Sequence, residues 1–330
     1  MHIVTVTMNP AIDISACVNK VAPTHKLRCS MEKRDAGGGG INVARVVARL
    51  GGDVRALYPV GGPTGQLLRR LVDSERIASL AIPISGETRE DMTIFEETSG
   101  AQYRFVLPGP RLADSEWRDC LEAVESIRGT PSIVVAGGSL PPGVPVDFYG
   151  RLARSVKTIG ARFVVDSSGD ALAAALEEGV YLVKPSLREM VGLAQVPLDD
   201  DESQLEACRR LVEGERADIV ALTLGDQGAL LVTRDSAWRA DPLKVNALTS
   251  VGAGDSFLGG MVWSIASNHR LEDALGYAIA AGSAALLGYG TELCHAEDVW
   301  RLRPSVRVHD LTAQLGATAS SAHARLLPPR

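Results

Sequence analysis

The stretch Ser250-Val-Gly-Ala-Gly-Asp-Ser-Phe-Leu-Gly-Gly-Met261 sets an acid directly behind two glycines, at the head of an alanine-rich, proline-free run that lasts to Ala266. The pattern predicts a helix over 253–266 whose start is formed by Gly252, Ala253 and Gly254. A helix start carries backbone N–H groups without intrahelical partners and the positive end of the helix dipole. It therefore suits the negative charge that builds on a transferred phosphoryl group. Glycine there lets a ligand come close to the backbone. Asp255, just inside the helix, is placed to take the proton from a substrate hydroxyl. The same residues also suit an ordinary loop-to-helix turn with a first-turn acid.

A second junction of this kind lies at 37–52. Val43, Val46, Val47 and Leu50 recur at helical spacing behind four glycines, and Gly51-Gly52 ends the helix. A dinucleotide fingerprint needs glycine where this chain has Asn42, so the stretch gives little reason to expect that ligand. Asp13 heads a strand-like run over 12–18, a place where acids also serve as turn residues. Charged and apolar residues alternate in Lys26-Leu-Arg-Cys-Ser-Met31, which predicts a strand with Lys26, Arg28 and Ser30 on one face. That cationic face suits a phosphate, or equally a solvated edge strand.

The elements that must carry these groups are legible in outline. Strands are expected at 2–7, 54–58, 133–136 and 163–166, with a set of short strands over 77–107 that includes Thr88-Arg89 and Tyr103-Arg104-Phe105. Helices are expected at 64–73, 146–157 and 278–287, and on the face marked by Trp117, Leu121, Val124 and Ile127. Alternating strand and helix implies right-handed crossovers and an α/β fold, with a mostly parallel central sheet covered on both faces. Ligands of such sheets sit at the carboxyl ends of the strands. The loops expected there are Gly137-Gly-Ser139, Asp166-Ser-Ser168, Lys184-Pro-Ser-Leu-Arg-Glu189 and Thr223-Leu-Gly225. Residues 310–330 turn Ala/Ser-rich and are expected to form a disordered tail.

Composition narrows the partners. A net charge of −6 with no block of Lys or Arg argues against nucleic acid or an anionic membrane and favours small ligands. The five cysteines are scattered and contain no C-x-x-C pair, which argues against a disulfide framework or a zinc site and for a reducing cytoplasm. Neither a signal peptide nor an apolar run of 18 residues is visible. At 330 residues the chain suits one large domain with an inserted lid as well as it suits two domains.

The two glycine-rich stretches together resemble the paired signatures of the PfkB family of sugar kinases, in the ribokinase superfamily, and the similarity spans roughly 2–297. Thr-Met-Asn-Pro-Ala-Ile-Asp13, Lys26-Leu-Arg-Cys, Gln102-Tyr-Arg-Phe-Val-Leu-Pro-Gly, Gly138-Ser-Leu-Pro-Pro-Gly and Val165-Asp-Ser-Ser-Gly are most similar to the branch that phosphorylates fructose 6-phosphate with ATP. Branches acting on fructose 1-phosphate or tagatose 6-phosphate come next. The resemblance implies a kinase domain over 1–309 with lid strands drawn from about 12–35 and 86–107, and a homodimer joined through the lid. It implies that Asp255 is the base and that Gly252, Ala253 and Gly254 form an anion hole. Asp13, Gly38, Gly39, Asn42 and Ser139 then hold the sugar, with Arg28, Arg89 and Arg104 as cations for its phosphate. Lys26, Lys184, Ser186, Thr223, Gly225, Gly228 and Ser283 fall at nucleotide positions, and Glu189 at the acid that organises Mg2+ through water. Thr249 and Val251 match a monovalent-cation site, where K+ is the expected ion.

Two departures stand out. The N-x-x-E motif of the family reads Ser186-Leu-Arg-Glu189 here, and Glu292 replaces a basic residue near the cation site. A sugar-phosphate or nucleotide sensor on a silent kinase scaffold is the alternative from another class, with Ser186 as its only support.

Overall fold

A computed structural model describes residues 2–127, 131–288 and 290–315, with Met31 described by its backbone alone. The chain enters as β1 (His2–Val6) and leaves the core for two lid strands, β2 (Ala11–Val18) and β3 (Ser30–Gly37). It returns through α1 (Gly39–Arg49), β4 (Asp53–Val60), α2 (Gly62–Ser74) and β5 (Ala78–Pro83), then leaves again for β6 (Arg89–Glu96) and β7 (Gln102–Phe105). Strand and helix then alternate: α3 (Asp114–Glu125), β8 (Ile133–Gly137), α4 (Phe148–Thr158), β9 (Arg162–Asp166), α5 (Gly169–Glu177) and β10 (Val180–Val183). The helices α6 (Leu187–Ala194) and α7 (Asp201–Glu213) lead to β11 (Ala217–Thr223), β12 (Ala229–Val232) and β13 (Ala237–Ala240). Finally come α8 (Ala253–Ala266), α9 (Leu271–Ala285), α10 (Ala296–Leu302) and β14 (Val308–Asp310).

Ten strands form the main sheet in the order β14-β13-β12-β11-β10-β9-β8-β1-β4-β5, parallel from β11 to β5 and antiparallel at the other edge. Its apolar strands feed both faces by the two-residue period of a strand. Ile133 and Val135 join the core under α1, α8 and α9, while Val134 and Ala136 join the core under α3, α4 and α7. The lid is a separate sheet, β3-β2-β6-β7, in which β2 and β6 run parallel.

Close packing of small residues fixes α8. A side-chain carbon on Gly259 would stand 2.6 Å from Val46 Cβ of α1, and one on Gly260 would stand 2.8 Å from Ala281 Cβ of α9. The helix that carries Asp255 is therefore clamped between two others, and apolar on nearly all sides, as a buried helix must be.

Three expectations need correction. Lys26 and Arg28 do not lie on a strand: β3 begins at Ser30, and the chain before it is exposed and irregular. The short strands over 77–107 do not form one set, because β5 pairs with β4 in the main sheet and only β6 and β7 belong to the lid. The expected tail starts too early, since Asp310 pairs with Trp238 and Leu311 N–H donates to Ala237 O at 2.8 Å. The rest of that expectation, 316–330, lies outside the described residues.

Candidate active site

Gly252 caps α8 in the left-handed region, at φ 77°, and no side chain caps the first turn. Only glycine takes that angle without strain, and a side chain there would also stand 2.8 Å from Leu293 Cδ2. Asp255 projects from that turn and accepts a 2.8 Å hydrogen bond from Asn42 Nδ2 of α1. Burial raises its pKa, and the Asn42 bond, Lys184 and Arg104 act against the rise. A carboxyl whose pKa is raised in this way is a stronger base once ionised, which is what proton abstraction asks of it.

Asp13, from β2 of the lid, faces the same place. Burial pushes its carboxyl up to about 7, with Asp91 and Asp255 adding repulsion and Arg104 and Arg45 opposing it. The chain makes room for it at Gly37, where a side-chain carbon would stand 2.4 Å from the Asp13 carboxyl. Gly38, at φ 106°, and Gly39 bring the start of α1 against Thr7 and Gly137, so that a side chain on Gly39 would stand 2.9 Å from Gly137 C. Ser139, in the loop after β8, accepts a 3.2 Å bond from Asn9 Nδ2.

On the other side of Asp255 lies Lys184, buried at the end of β10, with Nζ 3.2 Å from Asp166 Oδ1. Burial works against its charge, and Asp166, Asp255 and Glu189 together more than offset that, so its pKa is raised. Asp166 is pushed up to about 6 by burial, Lys184 opposing. A side chain on Gly254 would stand only 3.7 Å from Lys184 Nζ, so the ammonium sits over the uncapped helix start. Ser186 caps α6: its N–H and Oγ both donate to Glu189 Oε2, at 2.8 and 2.9 Å. Thr223 bridges to Ser186 at the end of β11, and Gly225 and Gly228 follow at positive φ. Ser283 is buried on α9, beside Gly282, where a side-chain carbon would stand 3.2 Å from Ala253 O.

The structure thus gathers Asp13, Asn42, Arg104, Lys184 and Asp255 around one point. It does not bring Lys26 and Arg28 to it, for both are exposed in the loop before β3. Arg89 is at the base of the lid, tied by Nη1 to Asp91 (3.1 Å) and Leu107 O (2.6 Å) and by Nη2 to Asn9 O (3.0 Å), while its buried Nε has no partner. Thr249 Oγ1 donates to Gly290 O, and Val251 N–H donates to Thr249 Oγ1.

The sequence places Asp166 in a ligand-bearing loop without a role of its own, and gives Asn9 no place in the site. Asp166 ends an apolar parallel strand, the place from which side chains reach ligands, but its pairing with Lys184 is seen only in the fold. Asn9 reads in sequence as a strand breaker, and only the fold shows it linking Pro108 O, Ser139 and Arg89.

A lid over the carboxyl ends of a mostly parallel sheet, with a base behind an uncapped helix start, defines a lidded α/β kinase. The chain belongs to the pfkB family of carbohydrate kinases, whose family model matches residues 4–298. The ATP-dependent 6-phosphofructokinase isozyme 2 of Mycobacterium tuberculosis is 41% identical over 300 residues, covering 91% of this chain and 88% of that one. The 1-phosphofructokinase of Bacillus subtilis is 32% identical over 306 residues, covering 93% and 99%. Among solved structures, phosphofructokinase-2 from Escherichia coli in complex with substrates and products matches with a TM-score of 0.89 and 38% identity, over 92% of this chain and 99% of that one.

Proposed function

We propose that this chain transfers the terminal phosphoryl group of ATP to fructose 6-phosphate, giving fructose 1,6-bisphosphate and ADP. The observation that carries the reading is Asp255, tied to Asn42 directly behind the uncapped start of α8. Identity to a 6-phosphofructokinase exceeds identity to a 1-phosphofructokinase, 41% against 32%, which favours fructose 6-phosphate over fructose 1-phosphate.

Asp255 takes the proton of the sugar's free primary hydroxyl as that oxygen bonds to phosphorus and the bond to ADP breaks. The N–H groups at 252–254 meet the charge on the transferred group, and Lys184 adds a cation over it. Asp13, Asn42, Gly38, Gly39 and Ser139 line the sugar side, and Arg104 acts on both carboxylates from the lid. Arg89 is the lid cation left for the sugar's phosphate, whereas Lys26 and Arg28, exposed in the loop before β3, are set apart from the site. Thr223, Gly225, Gly228 and Ser283 line the nucleotide side. Mg2+ would enter with the ATP phosphates and neutralise charge on them, and Glu189 is the residue that would hold it through water. K+ is assigned to the turn at Thr249 and Val251, which backs the anion hole. No described helix is long and apolar enough to cross a membrane, and we place the enzyme in the cytoplasm, as a homodimer joined through its lids.

The test is ADP release against a panel of phosphosugars and free fructose, with Arg89→Ala alongside the wild type. Fructose 6-phosphate is expected to give the highest kcat/KM. Arg89→Ala is expected to lose about tenfold or more on it and little on fructose, since a charge-assisted contact to phosphate contributes about 1.5–3 kcal/mol. Equal losses on both sugars would show that Arg89 serves only as the tie at the base of the lid.

A further inference from the structure

Residues 290–294 join α9 to α10 and lie between the lid and the anion hole. On the lid side, Thr291 Oγ1 donates to Asp35 Oδ2 of β3 at 3.1 Å, and a side chain on Gly290 would stand 2.7 Å from Ser15 Oγ of β2. On the other side, Gly290 O accepts from Thr249 Oγ1 at 3.0 Å, and Cys294 N–H donates to Ser256 Oγ at 3.4 Å. Leu293, wholly buried, presses against Gly252 itself. The segment therefore touches both lid strands next to Asp13 and the turn that supplies the phosphoryl-binding N–H groups.

Asp35 is a firm anchor for it. Its carboxylate is buried, with Arg45 Nη2 at 3.3 Å and Lys33 Nζ at 3.5 Å. Arg45 is in turn locked by Glu75 Oε1 at 2.8 Å and Ala36 O at 2.9 Å. A buried charge held in this way moves only with the strand that carries it.

We infer that Asp35 and Thr291 are positioning residues that tie the sugar-side lid to the anion hole, so that the placement of the lid sets the N–H groups at 252–254. This rests on the phosphoryl-transfer reading of Asp255 given above. Charge on the transferred group develops only in the transition state, so a displaced hole lowers kcat and leaves ground-state binding alone. Removing one such donor outright costs about 10²–10³ in kcat, and shifting intact donors costs less, about tenfold.

Thr291 is the residue to change, because Asp35→Asn would strand the buried Arg45. Thr291→Val keeps the shape and deletes the hydroxyl, while Asp35 retains Arg45 and Lys33. The expected result with fructose 6-phosphate and Mg-ATP is a kcat lower by about tenfold, KM for both substrates within about twofold, and a nearly unchanged Tm. Thr291→Ser restores the hydroxyl and is expected to return kcat to within about twofold of wild type. A wild-type kcat in the Val variant would overturn the inference. So would a loss confined to KM or to Tm, or a Ser variant as impaired as the Val one. Wild type that fails on fructose 6-phosphate would refute the proposed substrate instead, and the comparison is then read on the phosphosugar it does accept, or on ATP hydrolysis, which uses the same N–H groups.

Discussion

Asp255 and Asp13 are two carboxylates in one cleft with different surroundings. Burial raises the pKa of both; at Asp255 the Asn42 hydrogen bond, Lys184 and Arg104 oppose the rise, whereas at Asp13 repulsion from Asp91 and Asp255 adds to it against Arg104 and Arg45 and brings it to about 7. Asp255→Asn is expected to lower kcat by about 10²–10⁴ with substrate affinity nearly intact, because only proton abstraction is lost. Near-normal turnover in that variant, measured at saturating substrates, would remove Asp255 from the chemistry. For Asp13 the prediction concerns stability. Its folded pKa of about 7 lies above the ordinary 3.8, so between those values the native state holds a proton that the unfolded chain has released. Stability from this group is thus full below about pH 4 and is lost as pH rises through about 7. Asp13→Asn removes the dependence, so its stability relative to wild type should improve between pH 5 and pH 8 by on the order of 1 kcal/mol, discounted for partial solvent contact. Urea unfolding at the two pH values reads it directly, and a constant difference would contradict it. Glycine also acts at this scale: the pocket for the Asp13 carboxyl exists because residue 37 has no side chain.

At the scale of elements, the start of α6 shows how a departure from the family pattern is accommodated. Ser186 is a good helix cap, and its capping box spends Oε2 of Glu189 on two hydrogen bonds. Asparagine also caps helices well and can both donate and accept. Ser186→Asn is therefore expected to keep activity and to lower the Mg2+ concentration for half-maximal rate by about two- to tenfold, the worth of one hydrogen bond. A magnesium titration that superimposes on the wild type would show that the serine cap already does the work. The elements also show where local pattern stops being informative. The helix over 253–266 appears at its expected bounds, because its glycine start and alanine-rich body are properties of the segment itself. The expected strand from Lys26 fails because strands need partners: β2 ends at Val18 and its pairing with β3 reaches only Ser30, past a register shift at Ser15/Cys17. Alternation of charged and apolar residues cannot reveal where a partner strand ends.

At the scale of the molecule, the lid presents an apolar surface that a soluble monomer would not be expected to leave bare. Phe105, Val106, Leu107 and Met92 are 57%, 59%, 52% and 44% exposed on or beside β6 and β7. With a second lid packed against this one, Phe105→Asp places a charge in the interface from each copy. For the homodimer proposed above, sedimentation is expected to show association weakened toward monomer, with Kd raised about tenfold or more. An unchanged assembly would move the interface elsewhere.

Each scale divides in the same way between what is local and what is not. The sequence by itself determined the parallel sheet and the two glycine-led helices, with Asp255 at the head of one and Asn42 at the head of the other, because hydrophobic period and glycine placement are carried within short segments. Only the tertiary structure decided that Lys184 pairs with Asp166, that Arg89 ties the lid to Asn9, and that Thr291 reaches Asp35 across 256 positions. Those contacts depend on strand order and on how the lid folds over the sheet, and no period in the chain encodes a neighbour brought in from another strand.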